Sequence, residues 1–381
     1  MADWTKPFEA SYTWWRVDRA SYTYETPDDL GDFYATGTEV EQIPNIVKAT
    51  LQLNDSTETF ETGLARCVGP LDVGNDLVRC HLTATWEDGT TEDVVLGTYD
   101  VSIPSRDVHG SYEECSAVLD GRLMELQQDA FEEPEVIQKG SNPFADAARW
   151  VRERGITFSE DRPLSHYLDW PAPSQLVYGI GAEDGGTVLS AYNGVMAGVQ
   201  GVRAAKTDEF GRIIIQDPID YDGTPVWTFA EGINATFLED AVDERDTSKV
   251  CNVVICVYES DSATYVGTAE DTDPSSPWSI ANYGRRKAAV YTYNEAPAGS
   301  TDVERQATAD AKAAKLLDEN RSIVRRITIS HVYCPARVGD IVEVSYPSAG
   351  IYGKFAIRTQ TIDVGSAGCM TVSELRRFER A

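Results

Sequence analysis

Basic residues are scarce in this chain. Its 381 residues carry 33 Lys and Arg against 62 Asp and Glu, a formal net charge of −29. The acids are spread along the sequence rather than gathered in a tail. Such a surface repels polyanions, which argues against specific DNA or RNA recognition and leaves calcium binding or membership of a large assembly open. Long apolar runs are missing as well. None approaches the roughly 18 residues of a membrane-spanning helix, so membrane insertion by this chain is not expected. The opening MADWTKPFEASYTWW has no basic stretch followed by an apolar one. The expectation is therefore no Sec leader and synthesis in a cytoplasm.

Catalytic signatures are also lacking. The four histidines, His81, His109, His166 and His331, form no HExxH and no other metal-ligand spacing. There is no GxSxG, and no cysteine lies in a nucleophile setting. Gly179–Gly186 (GIGAEDGG) has neither the third glycine of a dinucleotide loop nor a Lys-Ser/Thr pair, and it places two acids where a phosphate would sit. It is read as a loop. With 62 acids, carboxylate pairs arise by chance and decide nothing about glycosidase chemistry. The seven cysteines, at 67, 80, 115, 251, 256, 334 and 369, include no CxxC. They are read as reduced, buried small apolar residues; whether Cys67, Cys80 and Cys115 ever pair stays open. Cys251 and Cys256, five apart, would fall on opposite faces of a strand. No enzyme, cofactor or metal is indicated.

Alternating apolar and polar residues, by contrast, are abundant. At 42% hydrophobic and 10% aromatic the chain is a folded one. Residues 46–53, 77–85, 94–103 and 112–119 read as strands, with a hairpin turn at Asp88-Gly89. Tyr12, Trp14, Tyr22 and Tyr24 alternate near the start; a half-buried sheet edge or subunit contact explains them, and a sugar platform is the alternative. Helical spacing then appears over 120–131. A second helix starts at Asn142-Pro143, with Phe144, Ala147, Ala148 and Val151 as its apolar stripe. Thr187 caps another, and Asp208–Asp217 reads as a hairpin. Residues 238–248 are acidic and read as an exposed connection, and 250–258 (VCNVVICVY) as a strongly buried strand. Asp271 and Asp273 are two carboxylates without the rest of a calcium-loop consensus. Thr301 caps the longest helix, 302–320, whose acids come early and lysines late, as the helix dipole favours. Four short strands are expected over 336–378, with structural turns at Gly339, Asp340 and Gly353.

The order of segments carries a resemblance. LGTYDVSIPSRD (96–107) is followed by a strand, the helix GRLMEL and a Gly-Ser-Asn-Pro linker. Then come DEFGRIIIQDP (208–218), SPWSIANYG (276–284), the long Ala-rich helix, VYCPARVGDIVEVSYP (332–347) and IYGKFAIRTQTID (351–363). Over nearly its whole length the chain resembles the tail hub, or baseplate hub, proteins of tailed bacteriophages, of the siphophage minor tail protein type. That resemblance implies a mainly β fold of two tail-tube-like antiparallel β-barrels with α+β insertions. The expected parts are a first barrel at 1–135, an α+β insertion at 136–235, and a second barrel at 236–381 with its long helix. It implies a homotrimer at the virion tail tip, joining a hexameric tail tube to threefold structures. Its partners would be a distal tail or tail tube protein, a tail fibre or tip protein, and a tape measure protein. DNA would pass through without specific binding, and no catalytic residues carry over. The alternatives are the hub of a contractile tail or injection system, and a secreted carbohydrate-binding or carbohydrate-cleaving β-protein.

Overall fold

Period-two alternation carries about half of this chain into strands, mostly antiparallel, and five α-helices interrupt them among the described residues. The computed structural model describes residues 3–22, 35–159, 171–172, 175–179, 186–197, 204–216, 219–246, 250–259, 263–293, 297, 299, 301–320, 322–365 and 370–380. In chain order the first elements are β1 (Phe8–Asp18), β2 (Thr38–Gln42), β3 (Ile46–Asn54), β4 (Glu61–Val68), β5 (Leu77–Trp86), β6 (Thr91–His109) and β7 (Tyr112–Gly121). The middle of the chain holds α1 (Leu123–Gln127), β8 (Glu135–Ile137), α2 (Pro143–Arg152), β9 (Leu176–Tyr178), α3 (Val188–Ala197), β10 (Lys206–Thr207), β11 (Ile213–Ile214) and β12 (Trp227–Ala230). The last part holds β13 (Phe237–Asp246), β14 (Val253–Glu259), β15 (Thr264–Glu270), α4 (Ile280–Tyr283), β16 (Ala288–Tyr293), α5 (Asp302–Asn320), β17 (Ser322–Val332), β18 (Ile341–Tyr346), β19 (Ile351–Val364) and β20 (Met370–Arg380). The fold is mainly β with helical insertions.

Two compact units are formed, one from residues 1–240 and 329–374, the other from 241–328 and 375–381. The first is built on an antiparallel run in the order β19-β3-β4-β7-β6-β5-β1-β2, with β18 antiparallel to β19 and β12 parallel to β18. Strand β4 shows how the sequence chooses its faces. Glu61, Gly63, Ala65 and Cys67 point inward, and Leu64, Arg66 and Val68 point out. In β5 the first six residues are buried on both faces, so Arg79 lies inside rather than on a wet side. Three aromatic rings, Phe8, Trp86 and Tyr333, cluster around Trp4 at 5.1–5.4 Å. Trp14 is 3% exposed and belongs to the core, so the sugar platform loses its central ring. Tyr24 lies outside the described residues.

The α+β segment follows its caps. The Asn142 side chain accepts the Phe144 amide at 2.9 Å, with Pro143 in the first turn, and Thr187 Oγ1 accepts the Ser190 amide at 3.2 Å. Both apolar stripes, Phe144, Ala147, Trp150 and Val151 on α2 and Leu189, Tyr192, Val195 and Met196 on α3, are buried.

In the second unit α5 covers one face of the sheet β15-β14-β16. Its N-terminus is a reciprocal cap: Thr301 Oγ1 accepts the Glu304 amide at 3.3 Å and Glu304 Oε2 accepts the Thr301 amide at 3.1 Å. Ala309, Ala313 and Leu317 pack on Val254, Cys256, Tyr258 and Tyr265. The helix backbone sits directly on Gly267, where any Cβ would overlap the Ala309 carbonyl.

Three sequence expectations change here. Residues 237–246 are a strand, not a loose connection; Arg325 donates to both Asp243 carboxylate oxygens at 2.8 and 2.7 Å, so the acids serve an edge strand. Among the described residues the closing meander has three strands rather than four. Gly353 takes φ 114° inside β19, opposite Val344, and the strand runs on through it for 14 residues. Cys251 and Cys256 share one core against α5, because the chain bends at Asn252 before β14 begins.

Candidate functional site

The hairpin β10–β11 is a short turn that the rest of the first unit grips. Asp208 closes it: one carboxylate oxygen accepts the Phe210 and Arg212 amides at 3.0 and 2.9 Å, the other accepts Arg212 Nε at 2.7 Å. Gly211 adopts φ 74°, and a Cβ there would lie 2.6 Å from Arg122 Cδ. The turn's carbonyls are taken by side chains distant in sequence. The Tyr22 hydroxyl donates to Phe210 O at 2.7 Å, and Thr98 Oγ1 donates to Glu209 O at 2.9 Å.

Arg79 organises this contact. It donates to Thr98 Oγ1 at 3.0 Å, to the Tyr22 hydroxyl at 2.9 Å, to Glu39 Oε1 at 3.0 Å, and to the Thr36 carbonyl. Its guanidinium also lies 5.0 Å from the Phe210 ring centroid. Arg122, fully buried, lies 4.4 Å from the Tyr22 ring centroid and donates to Glu125 and to the Gly155 carbonyl. Burial raises the Tyr22 phenol above its ordinary range, against the pull of Arg79 and Arg122. His81 sits between Glu39 and Asp93, at 2.9 and 2.6 Å.

Beside the hairpin lies a cavity of about 380 Å³, lined by Phe60, Lys206, Thr207, Arg212, Arg337 and Asp340 among others. Its charges pair across segments. Asp55 holds Lys206 and, at 2.8 Å, Arg358; Arg337 holds Glu209. Phe60, a non-glycine residue at φ 59°, turns the chain into β4 with Lys206 Nζ 5.2 Å from its ring centroid. The next residue, Glu61, is 0% exposed, and Arg337 Nη2 is 3.9 Å from its carboxylate. Burial pushes the Glu61 carboxyl up to about 8, although Arg337 and the Thr207 hydroxyl pull the other way. Tyr99 is raised well above its ordinary range, also by burial, with Glu61 adding to it.

Segments far apart in sequence therefore converge. Thr98 and Tyr99 come from LGTYDV, Glu209 to Arg212 from DEFGRIIIQDP, and Arg337 and Asp340 from PARVGDIV. Gly339, at φ 105°, donates its amide to Ile357 O at 2.8 Å. Asp340 Oδ2 accepts the Arg337 amide at 2.8 Å, and burial raises its carboxyl, opposed by that hydrogen bond and the Arg337 charge. Gly353 lies apart, in β19. Arg79, Arg122 and Glu61 are members that sequence reading passed over. Counting back in twos from Cys67 and Ala65 is the signal that points Glu61 inward.

The remaining candidates lie elsewhere. The Asp271 carboxylate accepts Ser276 Oγ at 2.7 Å and the Asp273 amide at 3.1 Å, and Asp273 accepts the Ser275 amide and hydroxyl, so both close their own loop. His331 is buried between Val332 O and Ser373 Oγ, at 2.7 and 2.8 Å. His166 and most of 179–186 lie outside the described residues. Among the described residues no group of three His, Cys, Asp or Glu is placed to hold a metal ion, and no helix is long and apolar enough to cross a membrane. The arrangement is a polar knot that fixes three segments against one another.

No protein-family model matches the sequence, and no curated protein matches it. Solved structures do match the fold. The tail protein from Neisseria meningitidis superposes with a TM-score of 0.59 at 15% identity, over 98% of this chain and 97% of that one. The 43 kDa tail protein of prophage MuSo2 from Shewanella oneidensis gives 0.59 at 11% identity, over 96% and 98%. A Francisella PdpA-VgrG complex gives 0.55 at 9% identity; there the match covers 97% of this chain and 58% of the other. The chain has the fold of phage tail proteins.

Proposed function

We propose that the chain is a structural tail hub at the tip of a phage tail. The observation that carries this reading is the end-to-end likeness to two tail proteins of almost the same extent, over 98% and 96% of this chain. In this reading two tube-like barrels, within 1–135 and 236–381, flank the 136–235 insertion. Three copies form a ring of six barrels that meets a hexameric tube on one side and threefold tip structures on the other. The lumen passes the tape measure protein and then DNA. The net charge of −29 suits such a wall, because carboxylates do not retain a passing polyanion.

The polar knot has a place in that role. A hub carries load between its neighbours, and Tyr22, Thr98 and Arg337 tie the Glu209-Phe210 turn to segments more than a hundred residues away. The likeness to a VgrG-containing complex favours the hub of a contractile tail or injection system as the second reading. Making a tagged chain together with the proteins encoded beside it tests both. Recovery of a tail tube protein supports the hub; recovery of sheath components as well selects the contractile form; recovery of neither argues against both.

A further inference from the structure

Strand pairing sets Cys67 directly opposite Cys115, on the neighbouring antiparallel strands β4 and β7. The pairing keeps one register from Thr62 to Val68. Two residues along from Cys67, the Gly69 amide donates to Glu113 O at 2.7 Å, which marks that position as a hydrogen-bonded pair. Such pairs recur at every second residue, so Cys67 and Cys115 form one too, with Cα atoms about 5.5 Å apart. Disulfides span about 4.4–6.8 Å between Cα atoms. Opposed Cβ atoms start ~4.5–5.5 Å apart, so closing the bond draws them together by about 1 Å. The next inward pair along the ladder, Ala65 and Ala117, has only methyl groups to resist this. Cys80, by contrast, faces Trp14 and Gly97, and Cys256 faces Gly267 and Tyr291. Cys67 and Cys115 are both free thiols and both buried. Burial, and then the hydrogen bond with Cys115, push the Cys67 thiol up to about 12. Thiolate is the attacking form, so the pair reacts slowly and stays reduced through synthesis.

We infer that Cys67 and Cys115 form an oxidisable lock, a modification site that a small disulfide such as glutathione disulfide converts to a cross-strand disulfide. Transient opening of the strands admits the oxidant. The thiolate of one cysteine attacks glutathione disulfide, giving a mixed disulfide and one glutathione thiolate. The thiolate of the other cysteine then attacks the protein sulfur of that mixed disulfide and expels the second glutathione. Two protein thiols are oxidised, one glutathione disulfide is reduced to two thiols, and the cysteines' two protons pass to the leaving thiolates. The new bond closes a loop of about fifty residues and so narrows the unfolded ensemble. Its use rests on the hub reading, in which the chain is made in a reducing cytoplasm and works outside it.

Peptide mapping of the intact chain tests it. The folded chain is held with glutathione disulfide, alkylated, and digested without reductant. The expected result is a linked Cys67–Cys115 peptide, two hydrogens lighter than the separate pair, with both thiols lost to alkylation and both regained after dithiothreitol. The oxidised chain should melt higher by roughly 5 °C. Cys67→Ala and Cys115→Ala should each lose the link and the shift, and the mapping itself does not depend on how these variants fold. Thiols that stay open to alkylation at both positions after prolonged exposure overturn the inference. So do glutathione adducts without a link, links that join Cys67 to Cys80 as often as to Cys115, or a link that leaves the melt unchanged. Each of these leaves the hub reading intact, and recovery of tail components by the tagged chain reports on that reading separately.

Discussion

The Tyr22 hydroxyl donates to the Phe210 carbonyl at 2.7 Å while accepting from Arg79 at 2.9 Å, so one phenol links the N-terminal strand region to a turn 188 residues away. Arg79 supplies the charge that holds this relay together. Replacing it with Met leaves Glu39 without its buried cation, and the loss should be on the order of 3–5 kcal/mol. Arg79→Lys keeps the charge but not the fork, and should recover part of it. Urea denaturation of the two variants measures both.

Glu61 sets a pH dependence on the alkaline side. Its folded carboxyl is raised to about 8 by burial, against an ordinary 4.5, so the native state holds a proton the unfolded chain has released. The stabilisation is complete below pH 4.5 and is lost as pH rises to about 8. Glu61→Gln should remove this slope and be more stable than the parent at pH 8 by on the order of 2–4 kcal/mol. Equal melting curves for the two proteins across that range would contradict it.

His331 acts in the opposite direction. Burial lowers its imidazole from 6.5 to about 4, so the folded state favours the neutral ring. Its contribution is complete above pH 6.5 and is lost as pH falls towards 4. The imidazole signals followed by NMR should titrate near 4, and a midpoint near 6.5 would show that the ring is solvated.

The close seat of α5 on Gly267 predicts a local failure. Gly267→Ala places a methyl group against the Ala309 carbonyl, and the helix must lift. The cost should be roughly 1–3 kcal/mol. Hydrogen exchange should localise it to α5, β14 and β15, with the amides of β3 to β7 unchanged.

The helices α2, α3 and α5 were legible because their signals are local, whereas 279–292 reads as strand and holds the short helix α4 before β16. Asn142, Thr187 and Thr301 cap helices by chemistry confined to three or four residues. The strand faces of β4 follow from alternation alone. The polar knot was not legible, because its members lie up to 188 residues apart and each looks ordinary in its own segment. Arg79 alternates with His81 and Thr83 as a wet-face residue would, and only the cover provided by Tyr22, Glu39 and Phe210 makes it a core group. Gly353 and the 238–246 stretch misled for a related reason: glycine and acids mark breaks and loops on average, but a paired strand tolerates both at an edge or a bend.

Electron cryo-microscopy of the purified chain, alone and made together with the proteins encoded beside it, tests the tail-hub account most directly. The account predicts particles with threefold symmetry, six peripheral lobes and a central opening. Compact particles without threefold symmetry or a lumen in both preparations would contradict it.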